Sequence, residues 1–304
     1  HAGVTSSSRE VMRPVTRKFK GLFFYNSLYE GGVCDRRHVC CAMTPAQQVE
    51  PLVPYVMNMH GKRCYILAAD YIYGRTHAKW IQHYTRENGG EDIGVEHFPL
   101  DVDNFTAAIS RIQAAKPDVV WSVLVGGAHI AFYRQYEQTI GKKNIPLASS
   151  VYGIGREQTV ISADEADGIV IATQFHDDLG TDAANSFVNK VHQYTGNNDY
   201  VGDYGEYGYR GVNLWANAVR KAGDADPDAV IEALDGTSFD SPGGKVTIDG
   251  QTNHAIMDVY VCVGDRNQRF KTLETHRQQT PADTQAVCNL RDNPNDNTQY
   301  MIDI

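Results

Sequence analysis

The stretch GKRCYILAADYIYGRTHAKW, Gly61 to Trp80, decides how the rest of the chain is read. Arg63 to Ala68 is a short apolar run bounded by Gly61 and Asp70, which predicts a buried strand. A polar turn at Asp70 follows, and then a helical pattern that continues to about Asn88. A strand that empties into a loop and a helix N-terminus places Asp70, Tyr71 and Tyr73 at the carboxyl edge of a parallel sheet, where open α/β sheets bind ligands. The same unit recurs downstream, with Asp118 to Val125 as strand, Gly126-Gly127 as turn and Ala128 to Thr139 as helix.

Working outward, Thr5-Ser6-Ser7-Ser8-Arg9-Glu10 gives Ser7 and Glu10 the spacing of a capping box, and the helix behind it carries Pro14. A run of hydroxyls beside free helix N–H groups makes a donor-rich pocket for a carbonyl or carboxylate oxygen; simple capping explains one serine of that run. Gly21 to Tyr25 predicts a strand ending in a glycine-rich loop, so Tyr25, Ser27 and Tyr29 also fall at a carboxyl edge. Pro45 to Met57 predicts a helix with Val49, Leu52, Val53 and Val56 on one face. Further on come strands at Ile145 to Ser149 and Gly168 to Thr173, and helices at Asp182 to Tyr194, Gly205 to Ala222 and Pro227 to Leu234, the last capped by Asp226. From Gly243 the pattern changes to alternating antiparallel strands, Lys245 to Asp249 and Met257 to Val263, with a hairpin turn at Asp265 to Gln268. Residues 278–304 read as a polar, irregular tail. Strands alternating with helices from Gly21 to Ala222 predict an α/β fold, a parallel sheet with helices on both faces.

Composition narrows the function. With 304 residues, the chain is long enough for two domains. A net charge of −9 argues against a nucleic-acid partner, whose phosphates need a basic face, and no apolar run of about 18 residues predicts a membrane span. Of six cysteines, Cys64 and Cys262 sit in apolar strand patterns, while Cys34 and Cys288 sit in polar loops. A bridge between the latter two would tie the chain's ends together and imply an oxidising compartment. His38, Cys40 and Cys41 are cramped, unlike the spaced ligand pairs of zinc sites, so no metal is expected. The glycines of Val151-Tyr152-Gly153-Ile154-Gly155 lack the third glycine of a dinucleotide fingerprint, and no cofactor is expected. No motif supplies a nucleophile with a base, which argues against an enzyme. His129, at an apolar helix start, reads as a hydrogen-bonded core residue. What collects at strand ends is neutral: Ser6, Tyr25, Ser27, Tyr71, Tyr73 and Tyr152. Tyrosine offers a flat face and an O–H that both donates and accepts, so the inventory suits a small, polar, uncharged ligand. Chance placement of some of the 17 tyrosines at loops is the competing explanation.

Seven segments carry a resemblance to a known family: LFFYNSLYEGGVCDR (22–36), TPAQQVEPLVPY (44–55), AADYIYG (68–74), FPLDVDNF (98–105), IQAAKPDVVWSVLVGGAHIAFYRQY (112–136), SFDSPGGKVTIDGQTNH (238–254) and QQTPADTQAVCNL (278–290). In order and spacing, over about residues 5 to 302, the chain resembles the type I periplasmic solute-binding proteins of ABC importers. It is most like the branch for urea and short-chain amides, related to the branched-chain amino-acid receptors and to cytosolic amide-sensing regulators.

That resemblance implies two Rossmann-like lobes joined by three crossing strands and closing on a ligand in the cleft like a hinge. Lobe I is expected from 1–58 and 205–304, and lobe II from 59–204. Central strands of lobe I and an export signal are expected to lie outside this chain, leaving apolar surface on lobe I. The family's ligand contacts fall on Ser6, Tyr25 and Ser27 and, from lobe II, on Tyr71, with Tyr152 and Glu206 on neighbouring cleft-facing loops. Ser6, Ser27 and the helix start would donate to a ligand carbonyl, Tyr25 and Tyr71 would sandwich it, and Glu206 would accept from an N–H group. The amide branch often has proline or threonine around Asn26 to Leu28, and this chain departs from it there. Both Cys34 and Cys288 stand in matching segments, so a disulfide between them is implied. The resemblance further implies a periplasmic or extracellular location and a partnership with ABC permease membrane subunits. A branched-chain amino-acid receptor, a cytosolic amide sensor and an amide-acting enzyme are the alternatives.

Overall fold

The computed structural model describes residues 1–304. By its internal contacts the chain forms two units, unit 1 from 1–47, 180–259 and 276–303 and unit 2 from 48–179 and 260–275. Unit 1 opens with α1 (Ser6–Lys18), β1 (Phe23–Tyr25), β2 (Val33–Asp35) and β3 (His38–Cys40), and α2 (Pro45–His60) leads into unit 2. There follow β4 (Arg63–Ala69), α3 (Ile72–Glu87), β5 (Glu91–Phe98), α4 (Thr106–Ala115), β6 (Val119–Val123), α5 (Gly127–Thr139), β7 (Leu147–Ser149), the one-turn α6 (Ala163–Ala166) and β8 (Val170–Thr173). Back in unit 1 are α7 (Asp182–Thr195), α8 (Asp203–Ala222), α9 (Pro227–Ala233), β9 (Ser238–Ser241) and β10 (Gly244–Asp249). Strands β11 (His254–Gly264) and β12 (Phe270–Gln279) each pass from one unit's residues to the other's, and α10 (Ala282–Gln285) and β13 (Asn297–Gln299) end the chain.

In unit 2 the strands lie in the order β5-β4-β6-β7-β8, all parallel, with the second half of β11 antiparallel on β8. This is a doubly wound order, and its winding reverses between β4 and β6, the place where such sheets open a crevice at the strand ends. Every residue of β6 and all but Arg63 of β4 are buried, as parallel strands covered on both faces require. Ala68 pairs with Val123 and Ser122 with Ser149, so the loops after β4, β6 and β7 leave the same edge side by side. Gly74 is where α3 meets its own strand: a Cβ there would lie 2.0 Å from the Ala69 carbonyl oxygen. In unit 1, β1 pairs parallel with β3, β3 meets β11 at Cys40 and His254, and β10 and β9 extend β11 antiparallel. The sheet is therefore mixed. A disulfide joins Cys34 to Cys288, with Cα atoms 5.4 Å apart, beside the two-stranded β2–β13 pair.

Several expectations differ from the structure. Units divide at 47/48 and 179/180, not after 58 and 204, because α2 belongs with unit 2 from Gln48 onward; the Gln48 amide donates to the carbonyls of Ser150 and Ala172 at 2.8 and 2.9 Å. Residues 260–275 also belong to unit 2, so the chain passes between the units at 259/260 and 275/276 as well. Helix α1 begins two residues earlier than a Ser7 cap would allow: Thr5 is the cap, its Oγ1 accepting from the Ser8 N–H at 3.1 Å, and Glu10 instead pairs with Arg9 and Arg13. The polar tail is not wholly irregular, since β13 pairs with β2. Asp226 does cap α9, accepting from the N–H groups of Asp228 and Ala229.

Candidate functional site

On unit 2 the carboxyl edge presents three features. After β4, Asp70 pairs with Arg75 at 2.5 Å, and Tyr71 is the N-cap of α3, half-buried, its ring 6.0 Å from that of Tyr73. After β6, α5 starts at Gly126 and Gly127 without a side-chain cap. Beside them a cavity of about 320 Å³ is lined by Gly126, Gly127, His129, Arg156 and Glu157, among others. His129 is 3% exposed. Burial pushes its ring down to about 4, against a smaller upward pull from the Leu124 carbonyl, so it is neutral at pH 7. Burial raises the Glu157 carboxyl, against stabilising backbone N–H groups including that of Gly155, which donates to Oε2 at 3.0 Å.

Tyr152 is not on an open loop. It is fully buried in the core of unit 2, with Tyr133 edge-on at 5.3 Å and Phe270 at 5.8 Å, and its hydroxyl reaches the Ala166 carbonyl at 3.5 Å. Gly153 explains the tight approach, because a Cβ there would lie 2.3 Å from the Phe270 ring. Tyr152 thus shapes the β7 edge from behind, and it does not join Tyr71.

On unit 1 the sequence expectation brings Ser6, Tyr25 and Ser27 into one neighbourhood, at the start of α1 and the end of β1, all buried. The hydroxyl protons of Ser6 and Tyr25 are spent, however. Ser6 Oγ donates to Glu30 Oε2 at 2.5 Å, and Tyr25 donates to the Val4 carbonyl at 2.8 Å. Each oxygen retains lone pairs, so toward a ligand these groups accept rather than donate. Burial raises the Tyr25 phenol, opposed by the Arg9 guanidinium and by the Ser27 hydroxyl beside it.

Glu206 lies fully buried in the first turns of α8, paired with Arg210 at 2.5 Å and accepting from Ser241. The carboxylate is already neutralised one helical turn away, so it is no isolated anion awaiting an ammonium.

A buried ionic layer under α1 was missed in the sequence. Arg9 is fully buried, donates to Glu30 Oε1 at 2.7 Å, and lies over the Tyr29 and Tyr25 rings at 4.5 and 5.3 Å. Arg13 and Arg17 reach Asp35 at 3.5 and 3.0 Å. The i, i+4, i+8 spacing of the three arginines signalled one cationic stripe, but a solvated face has the same spacing. Val11 and Val15 of α1 and Phe19 just after it are exposed, while Met12 packs against the Phe23, Tyr25 and Tyr29 cluster. His38 packs against the Phe23 and Tyr25 rings, and no three His, Cys, Asp or Glu side chains converge in a way that would hold a metal ion. No helix is long and apolar enough to cross a membrane.

Comparison with known proteins agrees with this architecture. A family model described as a periplasmic binding protein domain matches residues 2–289. A Leu/Ile/Val-binding protein homolog 6 from Brucella melitensis biotype 1 is 21% identical over 224 residues, covering 72% of this chain and 57% of the relative, so the chain spans little more than half the length of that relative. An amino acid ABC transporter substrate-binding protein from Pseudomonas fluorescens Pf-5 superposes with a TM-score of 0.79 at 20% identity, covering 93% of this chain and 79% of its own. A solute binding protein of an ABC transporter from Rhodopseudomonas palustris BisB5, in complex with 3,4-dihydroxybenzoic acid, superposes with a TM-score of 0.77 at 21% identity, over 89% of this chain and 76% of its own. At these identities the structures show the fold, a two-lobed α/β periplasmic binding protein fold with a mixed sheet.

Proposed function

The chain belongs to the periplasmic binding protein domain family, a family of non-enzymatic binding proteins, and on that premise we propose that it is the extracytoplasmic solute receptor of an ABC importer, taking urea or a short-chain amide. The observation that carries the choice of solute is the internal pairing of charge. The buried cations and carboxylates beside the predicted contacts are already matched, Arg9 with Glu30 and Arg210 with Glu206. Ser6, Tyr25, Ser27 and Tyr71 themselves are neutral. The ammonium of an amino acid would have to share a carboxylate that is already matched; an amide needs only acceptors for its N–H groups and donors for its carbonyl. Delivery to permease membrane subunits follows from the family, and the Cys34–Cys288 bridge supports an oxidising, periplasmic or extracellular compartment over a cytosolic sensor.

A second reading is a receptor for a branched-chain amino acid or an aromatic acid, favoured by the names of the Brucella and Rhodopseudomonas relatives. Equilibrium titration separates the two. Acetamide or urea is expected to bind saturably at one site, with leucine and benzoate at least a hundredfold weaker. Tight leucine or benzoate binding with no amide binding would move the protein to the second reading.

A further inference from the structure

Ser149 and Ser150 stand side by side where β7 ends, and the fold uses them differently. The Ser149 hydroxyl is spent: it donates to the Ser122 carbonyl at 2.8 Å and accepts from the N–H groups of Val151 and Tyr152 at 3.2 and 3.1 Å. Ser150 Oγ has no hydrogen-bond partner, although the residue is 1% exposed.

Gln48 meets the same strand end. Its Nε2 donates to the carbonyls of Ser150 and Ala172 at 2.8 and 2.9 Å, which ties the end of β7 to β8 and uses both amide hydrogens. Because the amide nitrogen faces two carbonyls, only one orientation of the amide bonds. Oε1 is therefore an acceptor held in a fixed direction, and it too is buried without a partner. An unpartnered acceptor and an unpartnered hydroxyl, on two buried residues that are themselves hydrogen-bonded, each call for a complement.

Their place in the fold says what the complement is. The end of β7 lies at the carboxyl edge of unit 2 beside the loops after β4 and β6, where open α/β sheets take ligands. Gln48 Oε1 needs an N–H. Ser150 can give its proton to a carbonyl, which Ser6 and Tyr25 cannot, since theirs are committed to Glu30 and Val4. A primary amide or urea carries a carbonyl and N–H groups on one planar unit and matches both; a ketone brings no N–H and leaves Gln48 Oε1 facing apolar carbon or another oxygen.

We propose that Gln48 and Ser150 are the solute-recognising pair of unit 2, Gln48 Oε1 accepting from the solute N–H and Ser150 Oγ donating to its carbonyl oxygen. This rests on the amide reading above. It moves the contact after β7 from Tyr152, whose hydroxyl is turned into the core, to Ser150.

The test is calorimetric titration of the full chain with acetamide and with acetone, in wild type, Ser150→Ala and Gln48→Met, beside melts without solute. Ser150→Ala is expected to weaken acetamide about tenfold while its melting temperature holds or rises, because the hydroxyl removed has no partner in the fold. A hydroxyl with a purely structural role would instead lower the melting temperature and leave affinity alone. Acetone has nearly the size of acetamide and no N–H, so wild type is expected to prefer acetamide at least tenfold. In Gln48→Met, which keeps the length of the side chain, that preference is expected to fall at least fivefold; being a ratio within one variant, it is insensitive to loosening of β7 and β8. Either variant decides alone if the other does not fold. Unchanged acetamide affinity in Ser150→Ala, or an unchanged preference in Gln48→Met, overturns the placement and leaves the receptor reading standing. If wild type binds neither acetamide nor urea, the amide reading fails and takes the placement with it.

Discussion

Helix α3 is held against β4 by the absence of one methyl group, and replacing Gly74 by alanine tests how far that contact sets the edge. The new Cβ would lie 2.0 Å from the Ala69 carbonyl oxygen and 2.8 and 2.9 Å from the Ala69 carbonyl carbon and nitrogen. Carbon and oxygen rest no closer than about 3.3 Å, so the start of α3 must retreat by about 1.3 Å or the β4 end must distort. All three clashing atoms are backbone, which leaves no flexible side chain to give way. Alanine gains about 1 kcal/mol over glycine in a helix, while overpacking costs about 1–3 kcal/mol and sometimes more. With backbone on both sides the upper end applies, and the net loss is about 2 kcal/mol. Gly208 in α8 is the matched control: nothing lies within 4 Å of its Cβ, so Gly208→Ala should gain up to about 1 kcal/mol. Thermal or urea melts of the two variants should therefore move in opposite directions, Gly74→Ala down by roughly 4 °C and Gly208→Ala up by a degree or two. Equal stability of the two variants would refute the close approach of α3 to β4, and with it the position assigned to Tyr71 at the head of that helix.

Three further outcomes follow from burial and connectivity. Burial pushes His77 down to about 3 and His129, His176 and His254 down to about 4, so between these values and the ordinary 6.5 the unfolded chain binds more protons than the folded one. Stability is then full above pH 6.5 and falls with acid, by up to about 1.36 kcal/mol per pH unit for each ring. Asp283, raised to about 6 by burial against hydrogen bonds from Thr44 and backbone N–H groups, opposes them, since its contribution falls as pH rises from 3.8 to 6. Glu157, Asp178 and Glu206 are raised by burial like Asp283, and His38, His60 and His97 are lowered like the four rings above, so seven histidines stand against four carboxyls. That leaves a net loss below pH 6.5, and a flat urea-denaturation profile between pH 5 and 7 would contradict it. Reducing the Cys34–Cys288 bridge, which closes 254 residues, should cost about 2–4 kcal/mol in denaturant melts; a reduced protein as stable as the oxidised one would show that the bridge contributes nothing. Tyr71→Ala should weaken solute binding by more than about 1 kcal/mol through lost packing and hydrogen bonding, read by calorimetry. Unchanged affinity would remove Tyr71 from the site.

The α/β class was legible because the buried parallel strands β4 and β6 are nearly unbroken apolar runs ending in polar or glycine turns. Strand β5 gave no such signal: no residue of it is fully buried, so alternation is weak. The three-residue strands β2, β3 and β13 are too short to show a period, and β2 and β13 exist by pairing across the length of the chain. The unit boundary slipped for a similar reason, since nothing local tells whether Gln48 faces residues before it or carbonyls more than a hundred positions later. At the candidate site, the residue types and their strand-end positions were readable, but their commitments were not. That the Ser6 proton goes to Glu30 and the Tyr25 proton to Val4 depends on how α1 sits on β1. The Glu206–Arg210 pair was within reach, as an i, i+4 ion pair on one helix, and it changes Glu206 from a ligand acceptor into half of an internal pair.

The measurement that bears most directly on the receptor assignment is a thermal melt of the chain against urea, formamide, acetamide, leucine and benzoate, beside a buffer blank. A solute at about a hundred times its dissociation constant stabilises the folded state by roughly 2.7 kcal/mol, a shift of several degrees. A rise with urea or a short amide, and none with leucine or benzoate, is the expected result. A rise with leucine or benzoate alone would contradict the choice of solute, and a melt unmoved by every compound would contradict the receptor assignment for this set of solutes altogether.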